Sequence, residues 1–302
     1  MKSAILLLGL VSTLSAQTAQ TSATVPITLD HNRIIIDVYL PLPDGTTKRV
    51  RAWVDNGNPD LSISARAADL MGIKPTAEAE ASPGNKVPTA PPPKAIIIGG
   101  MSVPLTTLKE ARIEGQDTIA PGLSAVINLP SRLLRQYDVL INYPDREFTI
   151  AQPGTLQFQG MPSTILVNPD NGLIQIPSKI EGKSYNLALD AGSNISFLST
   201  DLMDNLLRSH SNWPHMTGAV GIANMWGMES EPQWQLLRLP RLQYGPLFLT
   251  DVVFAPFDQK TMEFFEKRAG VKTAGLVGAN ALLNYRVGLD YKHDLVHFDI
   301  GS

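Results

Sequence analysis

The sequence predicts an all-β fold with two lobes, pseudo-twofold symmetry and only short helices. Three observations support this prediction: short segments of alternating apolar and polar residues run through the chain, glycine and proline punctuate them, and two motifs occur once in each half. The chain has 302 residues, which is enough for two lobes of about 150 residues each.

The first repeated motif is an apolar strand that enters an Asp-x-Gly turn and leaves it in a second strand. Its copies are residues 50–64 (VRAWVDNGNPDLSIS) and residues 185–199 (YNLALDAGSNISFLS), which align Asp55 with Asp190. Short helices are predicted directly after the two copies, at residues 65–71 and 200–208. A lone Asp-x-Gly is commonly a simple turn in which the aspartate bonds to its own backbone, but two copies in the same context favour a duplicated functional element.

The second repeated motif is a pair of strands joined by a charged turn. It begins with residues 133–143 (LLRQYDVLINY) in the first half and with residues 282–291 (LLNYRVGLDY) in the second half. The repeat predicts an N-terminal lobe of residues 20–155 and a C-terminal lobe of residues 156–302, connected through residues 152–159.

Residues 1–19 have the features of a signal peptide. Lys2 provides a positive start, residues 4–11 (AILLLGLV) form a short apolar core, and Ala16 or Ala19 offers a cleavage position. The apolar run is too short to span a bilayer, and no later segment is long and apolar enough. We therefore expect export to the periplasm or out of the cell; a buried N-terminal helix is the alternative interpretation.

Composition excludes several classes of function. The formal net charge is −3, with acidic and basic residues mixed, so nothing favours nucleic acid or an anionic membrane as a partner. The chain has no cysteine, which excludes disulfides and thiol chemistry, and we interpret it as an exported bacterial protein. The five histidines form no metal-binding pattern, and neither GxSxG nor a glycine-rich phosphate loop occurs, so no metal and no cofactor are predicted.

The two motifs together resemble the layout of pepsin-like and retropepsin-like aspartic proteases, in a two-lobed form of an exported bacterial type. The resemblance covers nearly the whole chain after the predicted signal peptide. It is stronger in the second half, where residues 189–193 (LDAGS) are followed by residues 275–278 (GLVG) and 287–291 (VGLDY). It is weaker in the first half, because Asn128 occupies the position that we align with Gly278.

The resemblance implies that Asp55 and Asp190 meet at the lobe interface and share one proton. Two carboxylates so close together cannot both ionise cheaply, so one keeps a proton while the other loses it. The ionised member acts as general base on a water molecule, and the protonated member polarises the scissile carbonyl.

Six residues next to the two aspartates are predicted to support them: Asn56, Gly57, Asn58, Ala191, Gly192 and Ser193. The glycines permit a tight turn that brings amide N–H groups to the carboxylates, and Asn58 and Ser193 can add side-chain donors. The family has Thr or Ser directly after each aspartate, where the hydroxyls brace the lobes. This chain has Asn56 and Ala191 instead, so we expect the brace to be weakened or replaced.

The family also covers its substrate with a hairpin, the flap, which often carries a tyrosine. In the first half this region falls within Pro75–Pro93, which is rich in proline and has no aromatic residue. Because proline lacks the amide donor of a β-ladder, we predict a loop without a regular hairpin, acting as an inhibitory cover or a spacer. Residues 218–226 (GAVGIANMW) are the better flap candidate, with Met225 and Trp226 able to contact a ligand.

Two functions are consistent with these features. The first is an aspartic endopeptidase that acts as a monomer on a peptide or protein substrate through Asp55 and Asp190. The alternative is a weakly active or inactive protein of the same fold that binds a peptide or polysaccharide in the cleft between the lobes. Both aspartates favour the first function, whereas Asn56, Ala191 and the proline-rich segment favour the second.

Overall fold

The computed structural model describes residues 20–82, 84–218 and 233–300. Strands make up 49% of the structure and helices 13%, so the prediction of an all-β fold with short helices is confirmed. The predicted signal peptide and residues 219–226 of the predicted second flap lie outside the described residues. No helix in the described ranges is long and apolar enough to cross a membrane.

The elements of the first half are mostly short strands. They are β1 (Ser22–Pro26), β2 (Thr28–Asp30), β3 (Arg33–Pro41), β4 (Thr47–Asp55), β5 (Leu61–Ile63), α1 (Ala65–Leu70), β6 (Ala77–Ser82), β7 (Asn85–Ala90), β8 (Ala95–Ile98), β9 (Met101–Pro104), β10 (Ala111–Ile113), β11 (Ile127–Pro130), α2 (Ser131–Leu134), β12 (Asp138–Asn142) and β13 (Glu147–Ala151).

The second half has the same character. Its elements are β14 (Met161–Thr164), β15 (Leu166–Val167), β16 (Ile174–Ile180), β17 (Lys183–Leu189), β18 (Ser196–Ser199), α3 (Thr200–Ser209), β19 (His215–Gly218), β20 (Trp234–Tyr244), β21 (Leu247–Phe257), α4 (Gln259–Ala269), β22 (Gly275–Val277), a 3-10 turn (Ala279–Ala281), β23 (Tyr285–Asp290) and β24 (Leu295–Ile300).

The strands form one sheet in each lobe and a third sheet that the lobes share. The first-lobe sheet has the order β6-β7-β10-β5-β11-β4-β3-β8-β9, with β2 beside β3, and the second-lobe sheet has the order β15-β16-β17-β22-β18-β21-β20-β19. The shared sheet has the order β1-β13-β12-β23-β24-β14, so equivalent strands of the two halves mirror each other from its centre outward.

The register of the central strand pair shows the pseudo-twofold axis directly. Leu140 of β12 pairs with Gly288 of β23, and these are equivalent residues of the second repeated motif. The flanking pairs are Val139 with Leu289 and Ile141 with Val287, as a twofold axis through the central pair requires. The predicted pseudo-twofold symmetry is therefore confirmed.

One apolar core extends through both lobes and the shared sheet. In β3 the alternate residues Ile34, Ile36 and Val38 point inward and are at most 1% exposed. Val139 and Leu289 of the shared sheet belong to the same core. Each such side chain contributes about 1.5–3 kcal/mol when fully buried, so this core holds the two lobes together.

The first repeated motif ends in a helix cap in both halves. The Ser64 hydroxyl accepts a hydrogen bond from the backbone N–H of Ala67 at the start of α1. The Ser199 hydroxyl likewise accepts from Leu202 at the start of α3. Serine at this position satisfies a donor that the helix cannot pair internally, which explains why both predicted helices form there.

The prediction for Pro75–Pro93 is wrong, because β6 and β7 form an antiparallel hairpin there. Thr76 N donates to Thr89 O, so the backbone groups of Thr89 face β6 and those of Pro88 face the opposite side. On that side β10 pairs only with Thr89 and Ala90, so the missing N–H of Pro88 leaves no ladder partner unpaired. The number of prolines therefore does not predict whether a hairpin forms. What matters is whether the nitrogen of each proline faces a neighbouring strand.

Candidate active site

Two equivalent turns carry the aspartates. Asp55 is the last residue of β4, and Asp190 directly follows β17. In each turn the residue three positions later donates its backbone N–H to the aspartate carbonyl: Asn58 N to Asp55 O at 3.4 Å and Ser193 N to Asp190 O at 3.2 Å. Equivalent strands hold the two turns. In the first lobe β11 runs parallel to β4 and antiparallel to β5. In the second lobe β22 runs parallel to β17 and antiparallel to β18.

Each glycine of the two turns lies against the aspartate of the other lobe. A Cβ placed on Gly57 would overlap the carboxyl group of Asp190. A Cβ placed on Gly192 would lie 2.5 Å from Oδ1 of Asp55. The structure therefore brings the two predicted residues together across the lobe interface, and it places only backbone where each carboxylate meets the opposite turn.

Replacing Gly57 with alanine should destabilise the protein through this contact alone. The backbone of Gly57 is not in the left-handed region, so the added methyl group acts by its volume against Asp190. We expect the free energy of unfolding to fall by about 3 kcal/mol, measured by urea denaturation. Gly218→Ala is the matched control, because among the described residues its Cβ would meet only a Leu236 methyl at 3.6 Å. Equal losses in both variants would contradict the close approach at Gly57.

Asp190 accepts two hydrogen bonds from its own turn. The backbone N–H groups of Gly192 and Ser193 each donate to Asp190 Oδ1 at 3.0 Å. The Ser193 hydroxyl donates instead to Ile195 O at 2.7 Å, so Ser193 supports the carboxylate through its backbone. The predicted side-chain donor at Ser193 is therefore wrong, because the nearby carbonyl takes its only hydrogen.

Burial raises the pKa of both aspartates. The pKa of Asp55 lies well above its usual range, first because the residue is buried and second because the negative charge of Asp190 is close. The side-chain amides of Asn128 and Asn58 act in the opposite direction on Asp55. Burial raises the pKa of Asp190 to about 6, against the two amide donors of its turn. A raised pKa in both members means that the pair keeps a proton at mildly acidic pH.

The two aspartates differ in exposure. Asp55 is 3% exposed, and its Oδ2 atom has no hydrogen-bond partner among the described residues. Asp190 keeps part of its surface open to solvent. Asp55 is therefore the better holder of the proton, and Asp190 is the carboxylate that water can reach.

Asn56 braces the two lobes beneath the aspartates. Its side-chain Nδ2 donates to Leu189 O at 2.8 Å, and its Oδ1 accepts from Ala191 N at 2.7 Å. Both partners belong to the backbone of the other lobe, and Asn56 is fully buried. One amide side chain thus makes two interlobe hydrogen bonds, and Ala191 takes part through its N–H.

The predicted alignment of Asn128 with Gly278 is wrong by two residues. Leu129 of β11 pairs with Val54, and Val277 of β22 pairs with Leu189, so the residue equivalent to Gly278 is Pro130. Asn128 instead supports the first turn, since its Oδ1 accepts from Ser62 N at 2.7 Å, close to the Asp55 carboxyl. This role of Asn128 was not predicted from the sequence. The feature that could have indicated it is an amide side chain in a strand whose other residues are apolar.

A large groove lies elsewhere, in the second lobe. Its volume is about 1230 Å³, and its walls include Thr200, Gln259 and Lys272. None of its lining residues belongs to either aspartate turn. We place the candidate active site at the aspartates, because paired groups with shifted pKa values identify chemistry better than the size of a groove.

No protein-family model and no curated protein matches this sequence. The structure is similar to the crystal structure of an aspartic proteinase from Irpex lacteus, with a TM-score of 0.54 and 10% sequence identity. The match covers 93% of this chain and 98% of that one. A likeness at this identity concerns the fold, and it confirms the predicted two-lobed fold of pepsin-like aspartic proteases.

Proposed function

We propose that this chain is an aspartic endopeptidase in which Asp55 and Asp190 activate a water molecule. The observation that carries the proposal is the reciprocal packing of the two turns, in which each carboxylate lies against the glycine of the other lobe. Two carboxylates held this way share a proton, and that arrangement serves both as general base and as general acid.

The differing surroundings of the two aspartates assign their roles. Asp190, partly exposed and bonded to two amides, accepts a proton from water while the water oxygen attacks the peptide carbonyl carbon. Asp55, buried and protonated, gives its proton to the carbonyl oxygen, which yields a tetrahedral diol. The proton on Asp190 then passes to the amide nitrogen, Asp55 recovers a proton from the diol, and the C–N bond breaks. Atoms and charges balance, and the pair returns to its starting state.

The Asn56 brace supports this function over the binding-only alternative. The absence of hydroxyl side chains beside the aspartates is the main sequence feature that favours an inactive protein. Asn56 supplies two interlobe hydrogen bonds at the same level of the structure, so the geometry of the pair does not depend on those hydroxyls. Export and a monomeric state remain predictions.

The purified chain without residues 1–19 should cleave a denatured protein with a bell-shaped dependence on pH. As pH falls through about 6, Asp190 gains a proton and ceases to act as base, so the rate falls. At higher pH the rate falls again as the pair loses its shared proton, whose pKa at Asp55 is well above 3.8. Digestion from pH 3 to 9 measures the profile.

Two controls make this digestion decisive. Pepstatin and the Asp55→Asn variant should each remove the activity, which excludes a contaminating protease. If a folded sample cleaves nothing at any pH, the endopeptidase proposal fails, and binding of a peptide to the same sample becomes the test of the alternative.

A further inference from the structure

Three arginines surround one carboxylate next to the candidate active site, and we call them the arginine cluster. Arg112 Nη2 lies 2.7 Å from Asp60 Oδ2, and Arg132 Nη1 lies 2.9 Å from Asp60 Oδ1. Arg268 also bonds to Asp60 Oδ2. All three side chains are largely buried, with 10–23% of their surface exposed.

The cluster joins both lobes at the aspartate pair. Asp60 lies in the segment that follows the Asp55 turn, whereas Arg268 belongs to the last turn of α4 in the second lobe. The Arg268 carbonyl accepts from Asn171 Nδ2 at 2.7 Å and from Asn168 Nδ2 at 3.0 Å, which fixes the end of this helix. Arg268 is close enough to Asp55 for its charge to lower the pKa of that carboxyl.

Positive charge exceeds negative charge in this cluster. In the described part of the chain, Asp60 is the one acidic side chain that pairs with all three arginines. The nearby Glu114 accepts a hydrogen bond from the Ser62 hydroxyl at 3.1 Å, and Glu114 and Asp60 together still leave one of the three guanidinium charges unmatched. Nε of Arg112 has no hydrogen-bond partner among the described residues, although the Arg112 side chain is only 10% exposed. A buried donor without a partner is costly, and an anion would remove that cost.

The sheet register places Arg112 on the face that lies away from the first-lobe core. Arg112 of β10 pairs with Ser62 of β5 and with Thr89 of β7, so the three side chains share one face. Their neighbours Leu61 and Ala111 are core residues on the other face. The same face continues along the hairpin.

Small side chains form that continuation. Val87 lies two residues before Thr89 on β7, and it pairs with Ala79 of β6. Ala77 pairs with Thr89 itself. Arg112 therefore stands at the base of the small-residue face of the hairpin, beside the turn that carries Asp55.

We propose that the arginine cluster is a substrate subsite that binds a carboxylate close to the scissile bond. The carboxylate belongs either to an Asp or Glu side chain or to the C-terminus of the peptide. Guanidinium groups suit this ligand because their planar N–H donors bind a carboxylate through paired hydrogen bonds. The inference rests on the proposed peptidase function and adds a substrate class to it.

Matched peptides test the subsite in the unmodified protein. Each pair has Glu or Gln at one position, varied over about four residues on each side of the scissile bond, and each peptide is made with a free or an amidated C-terminus. We expect kcat/KM for the preferred carboxylate peptide to exceed that of its neutral partner about tenfold or more, the effect of one charge-assisted hydrogen bond. A preference that follows Glu identifies a side chain, and one that amidation removes identifies the C-terminus.

Two variants and a control connect the preference to the cluster. Arg112→Gln and Arg268→Gln should each reduce the ratio between carboxylate and neutral peptides about tenfold. Arg66→Gln is the control, because Arg66 is an exposed arginine that pairs with Asp117 at 3.1 Å, and it should leave the ratio unchanged. If a cluster variant does not fold, the ratio of kcat/KM between carboxylate and neutral peptides in the unmodified protein still tests the subsite.

The outcomes separate this inference from the proposed function. Cleavage without preference for a carboxylate overturns the subsite and leaves the peptidase function intact. If no peptide is cleaved, calorimetry measures binding of the same peptides to the folded protein. A carboxylate preference in binding that Arg112→Gln abolishes then supports the subsite while the peptidase function fails; equal or absent binding overturns the subsite as well.

Discussion

Replacing Asp190 with asparagine should abolish peptide cleavage and at the same time stabilise the protein at neutral pH. The variant keeps an oxygen that can accept from Gly192 and Ser193, but it cannot take a proton from water. We expect kcat to fall about 10⁴-fold, the full contribution of a general base. A fluorogenic peptide assay at the optimum pH of the unmodified protein measures this loss.

The stabilisation follows from the raised pKa of Asp190. A carboxyl group with a higher pKa in the folded state binds more protons folded than unfolded, so stability falls as pH rises between about 4 and 6. Asparagine does not titrate and escapes this loss, which amounts to about 3 kcal/mol for a shift from 3.8 to about 6. The variant should therefore unfold at a higher temperature than the unmodified protein at pH 7, and at the same temperature at pH 3.

Asp117→Asn provides the matched control, since Asp117 is 70% exposed and lies in a surface ion pair. It should alter neither activity nor the pH dependence of stability. Cleavage that survives in Asp190→Asn would exclude the proposed pair of catalytic carboxylates. Lower stability of that variant at pH 7 would exclude a proton-sharing Asp190 with a raised pKa.

Replacing Asn56 with alanine should weaken both the fold and the activity. The change removes two buried interlobe hydrogen bonds, those of Asn56 with Leu189 O and with Ala191 N. We expect the free energy of unfolding to fall by about 2–5 kcal/mol, because buried polar groups without partners cost about 1–3 kcal/mol each. We expect kcat to fall about 100-fold, because the two turns lose their fixed spacing. Urea denaturation and peptide cleavage at one pH measure the two effects.

A double variant separates the brace from mere packing. Asn56→Thr combined with Ala191→Thr supplies a hydroxyl on each side of the interface, and it should recover part of the activity that Asn56→Ala loses. Asn32→Gly is the control, because Asn32 makes a single, longer interlobe bond of 3.3 Å to Asn194 O, and glycine tolerates its backbone φ of 67°. Similar losses in Asn56→Ala and Asn32→Gly would contradict a special role for Asn56.

The repeated motifs were sufficient to predict the fold and the pairing of Asp55 with Asp190. The repeat predicts the fold because each half contains the same strand-turn-strand unit. The residues that form this unit lie within a short stretch of sequence, so both copies can be recognised without the structure. Asn56 shows the limit of this reasoning. Its amide could be expected to bond across the interface, but its partners are backbone atoms whose positions depend on the whole second lobe.

The arginine cluster and the hairpin were not predictable for different reasons. Asp60, Arg112, Arg132 and Arg268 are far apart in the chain, and only the folded structure brings them together. The hairpin was missed because proline is tolerated or excluded according to which side of a strand its nitrogen faces. That side depends on the neighbouring strands and not on local composition.

The shared sheet also determines the order in which this protein can be completed during synthesis. The ribosome finishes β12 and β13 long before it makes β23, the strand that pairs with β12 at the twofold axis. Until then the first half carries an open strand edge at its centre, where another chain can add. Because the axis relates equivalent strands, the β12 edge of a second nascent first half fits there almost as well as β23. Premature pairing between copies is therefore a hazard of this architecture until β23 has been made and has paired with β12.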